Sequence, residues 1–376
     1  MTLKEDATRP ITEEADFITI KDVDHLELWV GNAYQAAYFW QTAFGFRPVA
    51  YSGLETGNRR TQSYVLEQRK IRLVLSSSYH PDSEVAAHQL VHGDGVKVIA
   101  FQVDDVERAW AETTARGAQG IAPPREQSDD FGVLRTATIA TYGDTVHTFV
   151  DRGDYAGPFM PGFQAREPLG QVAPVGLAHV DHIVGNVPLG KMNAWVSWYH
   201  QVLGFRQLLH FDDKDISTEY SALMSKVMQN GTGRIKLPIN EPAEGRRRSQ
   251  IEEFLDFYHG PGVQHIAMST GDILSAVRLL TERGVRFLRV PGTYYDMLPQ
   301  RVGRIDEDMA VIRELGILVD RDDEGYLLQI FTQPLQTRPT LFVEVIERHG
   351  SQGFGKGNFR ALFEAIEAEQ ARRGNL

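Results

Sequence analysis

The stretch HGDGVKVIAFQVDDVERAWAETTARG, residues 92–117, returns as HGPGVQHIAMSTGDILSAVRLLTERG, residues 259–284, at an offset of 167 positions. In each copy a glycine precedes an apolar strand-like run, an Asp opens a helical pattern, and a second glycine ends it. Self-similarity over this length marks an internal duplication. It extends upstream, where VDHIVGNV (180–187) echoes VDHLELWVGN (23–32) and WVSWYHQVLGF (195–205) echoes YFWQTAFGF (38–46).

Each copy is itself double. Ile20–Val30 alternates as a strand, and Ala36, Ala37, Phe39, Trp40 and Phe44 recur at helical spacing before Gly45. Strands are predicted over 59–66 and 70–76, and a second unit follows: strand 96–103, helix 106–116, then strands at 134–140 and 147–150. That is βαβββ twice, and the layout repeats after a Pro- and Gly-containing connector, Gly157–Gly176. The expected fold is α+β: paired βαβββ modules in two tandem domains, each a half-open barrel around a cavity. The domains are expected at 1–156 and 177–376, joined by a linker at 157–176.

Composition narrows the function. Of 376 residues, 42% are hydrophobic and 24% charged, an ordinary soluble balance. A formal net charge of −11 argues against a nucleic-acid partner, which needs clustered Lys and Arg. The one basic run, Arg246-Arg247-Arg248, lies among acids and is expected to be a solvated loop. No cysteine is present, so disulfides and thiolate metal sites are excluded. The start, MTLKEDATRP, lacks the basic and apolar regions of a secretory signal, and no apolar run approaches the roughly 20 residues of a bilayer span. Residues 1–18 are expected to be frayed, and a cytoplasmic protein without membrane contact is expected.

The chemistry sits where the repeat fails. In TLFVEVIERHGSQGFGKGNF (340–359), alternation puts Phe342, Glu344 and Ile346 on one strand face. A carboxylate turned inward is costly unless something positive meets it. His182 has a counterpart in His25, but His265 faces Val98. Aligning GYLLQIF (325–331) with GDTVHTFV (143–150) leaves the first half without a strand carrying a carboxylate like Glu344. His182, His265 and Glu344 therefore form a candidate metal set in the second half alone, and His25 is left outside any site. Two imidazoles and one carboxylate are the ligand set of non-haem iron(II) oxygenases, with positions open for substrate and dioxygen. The same donors also bind zinc. GFGKGN (353–358) lacks the spacing and the Ser/Thr of a phosphate loop and is expected to be a hinge into an amphipathic helix, Phe359–Arg373, acting as a lid. VDRDDEGY (319–326) lacks the ligand spacing of a calcium loop and is expected to be a hairpin turn.

With these blocks assembled, residues 20–376 resemble the 4-hydroxyphenylpyruvate dioxygenase family of the vicinal-oxygen-chelate superfamily. PINEP (238–242), SQIEEFL (249–255), GVQHIA (262–267), GYLLQIFT (325–332), FVEVIERHG (342–350) and GFGKGNFRALFEAIE (353–367) carry the resemblance. It implies Fe(II) on His182, His265 and Glu344, and an aromatic clamp from Phe331 and Phe354. Phe342, Phe359, Pro238 and Asn358 are implied beside the substrate, and Ser221, Asn240, Gln250, Gln264 and Gln329 as the polar groups around it. The implied reaction takes 4-hydroxyphenylpyruvate and dioxygen to homogentisate and carbon dioxide, in tyrosine and phenylalanine catabolism. The expected partners are that small molecule, dioxygen and further copies of the chain in a dimer or tetramer. The nearest rival is 4-hydroxymandelate synthesis from the same substrate, against which Phe331, Pro238 and Asn240 count. A glyoxalase-like zinc or nickel lyase and a non-enzymatic ligand-sequestering protein are more remote.

Overall fold

In the computed structural model the duplication becomes two sheets with the same strand order; residues 17–168, 170, 173–211, 222–243, 245 and 248–375 are described. Ser221, Arg246, Arg247 and nearly all of the N-terminal segment expected to fray lie outside them. The first half runs β1 (Ile20–Trp29), α1 (Ala33–Phe44), β2 (Arg47–Ser52), β3 (Thr61–Gln68), β4 (Ile71–Ser78), α2 (Glu84–His92), β5 (Gly95–Val103), α3 (Val106–Ala115), β6 (Gly120–Asp129), β7 (Gly132–Ala140) and β8 (Val146–Asp151), then a short β9 (Gln164–Ala165). Its sheet order is β6-β7-β8-β5-β1-β4-β3-β2-β9. So part of the connector, β9, adds to the sheet edge beside β2.

The second half runs β10 (Leu177–Asn186), α4 (Met192–Leu203), β11 (Arg206–Phe211), β12 (Ala222–Gln229), β13 (Lys236–Ala243), α5 (Gln250–Tyr258), β14 (Gly262–Thr270), α6 (Ile273–Glu282), α7 (Thr293–Val302), α8 (Met309–Leu315), β15 (Leu318–Arg321), β16 (Tyr326–Phe331), β17 (Phe342–His349) and α9 (Phe359–Arg373). Read from β15 to β11, its order β15-β16-β17-β14-β10-β13-β12-β11 matches the first sheet strand for strand from β6 to β2, with β9 left over. In both, an antiparallel central pair (β1 with β5, β10 with β14) is flanked by strands parallel to it.

Local chemistry repeats with the topology. The Asp105 and Asp272 side chains accept from the third-residue amides of α3 and α6, capping the exposed N–H groups there. Gly45 and Gly204 end α1 and α4 in the left-handed region, each at φ 72°. The sheet correspondence corrects one sequence expectation. β8 occupies the place of β17, and β7 that of β16, so GDTVHTFV does not align with GYLLQIF. The first half does have the strand in question, and by register Thr148 stands on it where Glu344 stands in the second half. The insertion of α7 and α8 between α6 and β15 hides this, because the constant offset ends there.

The halves share one apolar core, which runs from Ile18 and Leu26 to Val343 and Ile366. Buried Gln68 fastens the junction: its Oε1 accepts from the amides of Val175, Gly176 and Leu177, each at 3.1 Å, and its Nε2 donates to Phe44 O. Across the same junction the buried His147 lies 2.8 Å from the Tyr199 hydroxyl on α4, and burial pushes its pKa down to about 4. The α9 bounds agree with the sequence reading, and Asp322 accepts from the amides of Glu324 and Gly325 in the β15–β16 turn, which is the expected hairpin. Among the described residues no helix is long and apolar enough to cross a membrane.

Candidate metal centre

Three neighbouring strands bring the candidate ligands together. β10 carries His182, β14 carries His265, and β17 carries Glu344. Glu344 Oε2 lies 3.1 Å from His182 Nε2 and 3.4 Å from His265 Nε2. All three residues are buried, at 4%, 8% and 2% exposure. Among the described residues no Lys or Arg forms an ion pair with Glu344, so the two imidazoles are what meets its charge.

The other imidazole nitrogens are occupied. Asp181 Oδ1 lies 2.8 Å from His182 Nδ1, and Gln264 Oε1 lies 3.0 Å from His265 Nδ1. Both acceptors suit a proton on Nδ1, and both Nε2 atoms face Glu344, the arrangement that metal-binding histidines use. Arg348 Nε and Nη2 in turn donate to Asp181, each at 2.8 Å. Burial opposes ionisation of Glu344, yet the two imidazoles hold its pKa down to about 2. Burial likewise opposes a charge on His182, but Glu344 and Asp181 raise its pKa; at His265 burial prevails and lowers it. One carboxylate and two imidazoles, buried with ligand atoms within 4.8 Å of one another, fit a divalent cation.

The cavity above these donors, about 610 Å³ including its open mouth, has Phe331, Phe342, Phe354, Phe359, Pro238, Asn240, Gln250 and Gln264 in its lining. Register explains the gathering. Phe331 pairs with Glu344 across β16–β17, and His265 pairs with Phe342 across β14–β17. Phe354 meets the His182 ring edge-on at 4.9 Å, and Phe342 stacks on the His265 ring at 4.7 Å. Two expected residues stand elsewhere. Gln329 is one ladder step away, opposite Ile346, and its amide lies against Gly355, where a Cβ would come within 2.2 Å of Nε2. Asn358 is fully buried, but its Oδ1 accepts from Tyr294 Oη at 2.6 Å and Arg301 Nη2 at 2.7 Å. Neither lines the cavity, because each amide is packed into the scaffold that carries the hinge.

The cavity also takes in residues the sequence reading did not name. Leu362, Phe363 and Ile366 join Phe359 on one face of α9. Their i, i+3, i+4, i+7 spacing was the available signal. Burying Phe363 alone contributes about 1.5–3 kcal/mol to holding α9 in place. On β12, alternate residues Leu223, Ser225 and Val227 face the cavity, with Ser225 paired to Asn240; without the pairing register their direction is not readable.

Residues 22–137 and 178–330 match the family described as the Glyoxalase/Bleomycin resistance protein/Dioxygenase superfamily. Over 366 residues the chain is 46% identical to 4-hydroxyphenylpyruvate dioxygenase of Yarrowia lipolytica, covering 94% of this chain and 93% of that protein. It is 48% identical to the Dictyostelium discoideum protein of the same name, over 94% of this chain and 99% of the other. The chain belongs to the 4-hydroxyphenylpyruvate dioxygenase family. A solved triple mutant of 4-hydroxymandelate synthase from Streptomyces coelicolor is more distant, at 33% identity and TM-score 0.84, covering 93% of this chain and 99% of that one. Membership makes the chain a metal-dependent oxidoreductase of dioxygenase type on paired βαβββ modules.

The first half of this family member keeps most of the same frame. His25 Nδ1 lies 2.7 Å from Asp24 Oδ1, and Arg152 donates to both Asp24 oxygens at 2.6 and 2.8 Å. Phe159 meets the His25 ring edge-on at 5.1 Å, as Phe354 meets His182. The other two ligand positions hold Val98 and Thr148, and Thr148 hydrogen-bonds Thr138 at 2.9 Å.

Proposed function

We propose that the chain uses Fe(II), held by His182, His265 and Glu344, to convert 4-hydroxyphenylpyruvate and dioxygen to homogentisate and carbon dioxide. The observation that carries the reading is the buried two-histidine, one-carboxylate set at the floor of a phenylalanine-lined cavity. Iron(II) on these donors supplies redox chemistry toward dioxygen, with coordination positions left open for the 2-oxo acid. No separate oxo acid is required, since the substrate carries its own.

The chain's residues bind, orient and enclose. Phe331 stands beside His265 and Phe354 beside His182, so an aromatic ring entering between them is held edge or face against both. The amides of Asn240, Gln250 and Gln264 and the Ser225 hydroxyl are polar groups in a mainly apolar lining, suited to a phenol hydroxyl and to the oxo-acid end. Gln264 has a second task, since it accepts from His265 Nδ1. Phe359, Leu362, Phe363 and Ile366 close the cavity from α9 and exclude water from the reacting centre. Ser221 belongs to the proposed polar set on the family resemblance alone. Asn358 hydrogen-bonds Tyr294 and Arg301 beside the hinge, and Gln329, like Ser221, stays in the proposed set on the family resemblance. Cytoplasmic placement in tyrosine breakdown and self-association as a dimer or tetramer complete the reading; light scattering tests the latter.

Chromatography of the product formed from 4-hydroxyphenylpyruvate under air with added Fe(II) tests the proposal. Homogentisate is expected. Formation of 4-hydroxymandelate would overturn the product assignment, and an absence of dioxygen uptake would overturn the reaction class.

A further inference from the structure

The chain from metal ligand to lid is short enough to trace atom by atom. His182 Nδ1 lies 2.8 Å from Asp181 Oδ1, and the Arg348 fork grips both oxygens of that carboxylate. The remaining nitrogen, Nη1, donates to Gly353 O at 2.6 Å and to Ser351 O at 3.2 Å, both in the hinge between β17 and α9. The same guanidinium lies over the Phe354 ring at 5.5 Å, and that ring abuts His182. From the opposite side, Asp322 accepts from Gly353 N at 2.9 Å and from the Ser351 hydroxyl. One partly buried guanidinium therefore spans the carboxylate that orients a ligand and the carbonyls that fix the hinge.

We infer that Arg348 is a positioning residue that couples metal binding at His182 to closure of the 351–358 hinge and the α9 lid. This rests on the metal reading given above. A guanidinium is planar and its fork is rigid, so Asp181 and Gly353 O cannot move independently while both are bonded to it. Withdrawing the hinge removes the two carbonyls and loosens the carboxylate that holds His182 in its metal-binding tautomer. By linkage, a metal that favours the oriented His182 favours the closed hinge by the same factor. The first half lacks the second half of this device. Arg152 grips Asp24 in the same way, but its carbonyl partner is Phe159, in a segment that β9 ties to the sheet edge instead of feeding a lid helix.

The test is amide hydrogen exchange of the full chain under argon, with and without Fe(II) alone, joined to metal-affinity measurements. In the parent chain, Fe(II) should slow exchange at residues 351–358 several-fold. Arg348→Lys keeps the charge but not the fork; it should abolish that slowing and weaken Fe(II) binding about 10-fold or more. Asp322→Asn touches neither a ligand nor Asp181, and should weaken Fe(II) binding several-fold through the hinge. Arg152→Lys should lower thermal stability while leaving Fe(II) affinity and hinge protection at parent values. Hinge exchange that Fe(II) does not alter, or protection that persists in Arg348→Lys, would overturn the coupling. Undiminished Fe(II) binding in His182→Ala would instead overturn the metal reading on which it rests.

Discussion

The two halves differ at two of the three positions of the candidate metal set, and agree in the frame around them. His25 and His182 occupy equivalent strand positions, each bonded to a preceding aspartate that an arginine four residues past the third ligand position clamps. Val98 replaces His265, and Thr148 replaces Glu344. Where the charge is absent the space is closed differently. Val98, Ala100, Leu134, Val146 and Val150 form a small apolar cluster with Tyr155 in the first half. In the second, a cavity remains open under α9. The Asp–His–Arg clasp is thus a device of the module, present in both halves, whereas the two further donors of the candidate set stand in the second half alone.

The largest contrast is expected from paired substitutions at the metal positions. Glu344→Gln should remove bound Fe(II) and dioxygen uptake, well beyond the roughly 10- to 100-fold that follows loss of an outer partner. His25→Ala should leave the metal content unchanged. Atomic spectroscopy of the two purified variants checks both; equal metal loss would mean that the halves share one site.

A second pair separates positioning from stability. Asp181→Asn should weaken Fe(II) binding about 10- to 100-fold. Asp24→Asn leaves Arg152 without its buried partner and should cost about 3–5 kcal/mol of stability with Fe(II) affinity intact. Burial opposes a charge on Asp24, but His25 and Arg152 hold its pKa well below the usual range. With its folded pKa depressed, Asp24 stabilises the fold above its ordinary pKa of 3.8 and ceases to as pH falls through the folded value. Acid unfolding curves of the parent and Asp24→Asn should therefore begin to approach each other below about pH 4 and meet only at the depressed folded value.

Much of this was legible in the sequence. The 167-residue offset gives the modules, and the inward carboxylate at Glu344 gives the strand that completes the candidate metal set. What was not legible has physical causes. The α7–α8 insertion breaks the offset, so the pairing of β8 with β17 appears only from sheet order. Buried amides look alike in sequence whether they face a cavity, as Asn240 does, or the protein's own donors, as Asn358 does. The unnamed apolar residues of α9 were within reach, since their spacing is regular.

Smaller effects sharpen the comparison further. Burial would keep His182 uncharged, but Glu344 and Asp181 raise its pKa above 6.5, so protons compete with metal there. Fe(II) affinity should be full above that raised value and fall as pH drops through it; pH-independent affinity would contradict the assigned ligand. Smallest of all is a gain: Val98→His with Thr148→Glu places three donors in the same register and should add a weak second Fe(II) equivalent per chain.

On the proposed reading, Fe(II) is held in the second half, by His182, His265 and Glu344. Anaerobic titration of the metal-free chain with Fe(II) tests it directly. The expected result is saturation at one Fe(II) per chain, lost in Glu344→Gln and retained in His25→Ala. Two equivalents in the parent chain, or one equivalent surviving in Glu344→Gln, would contradict it.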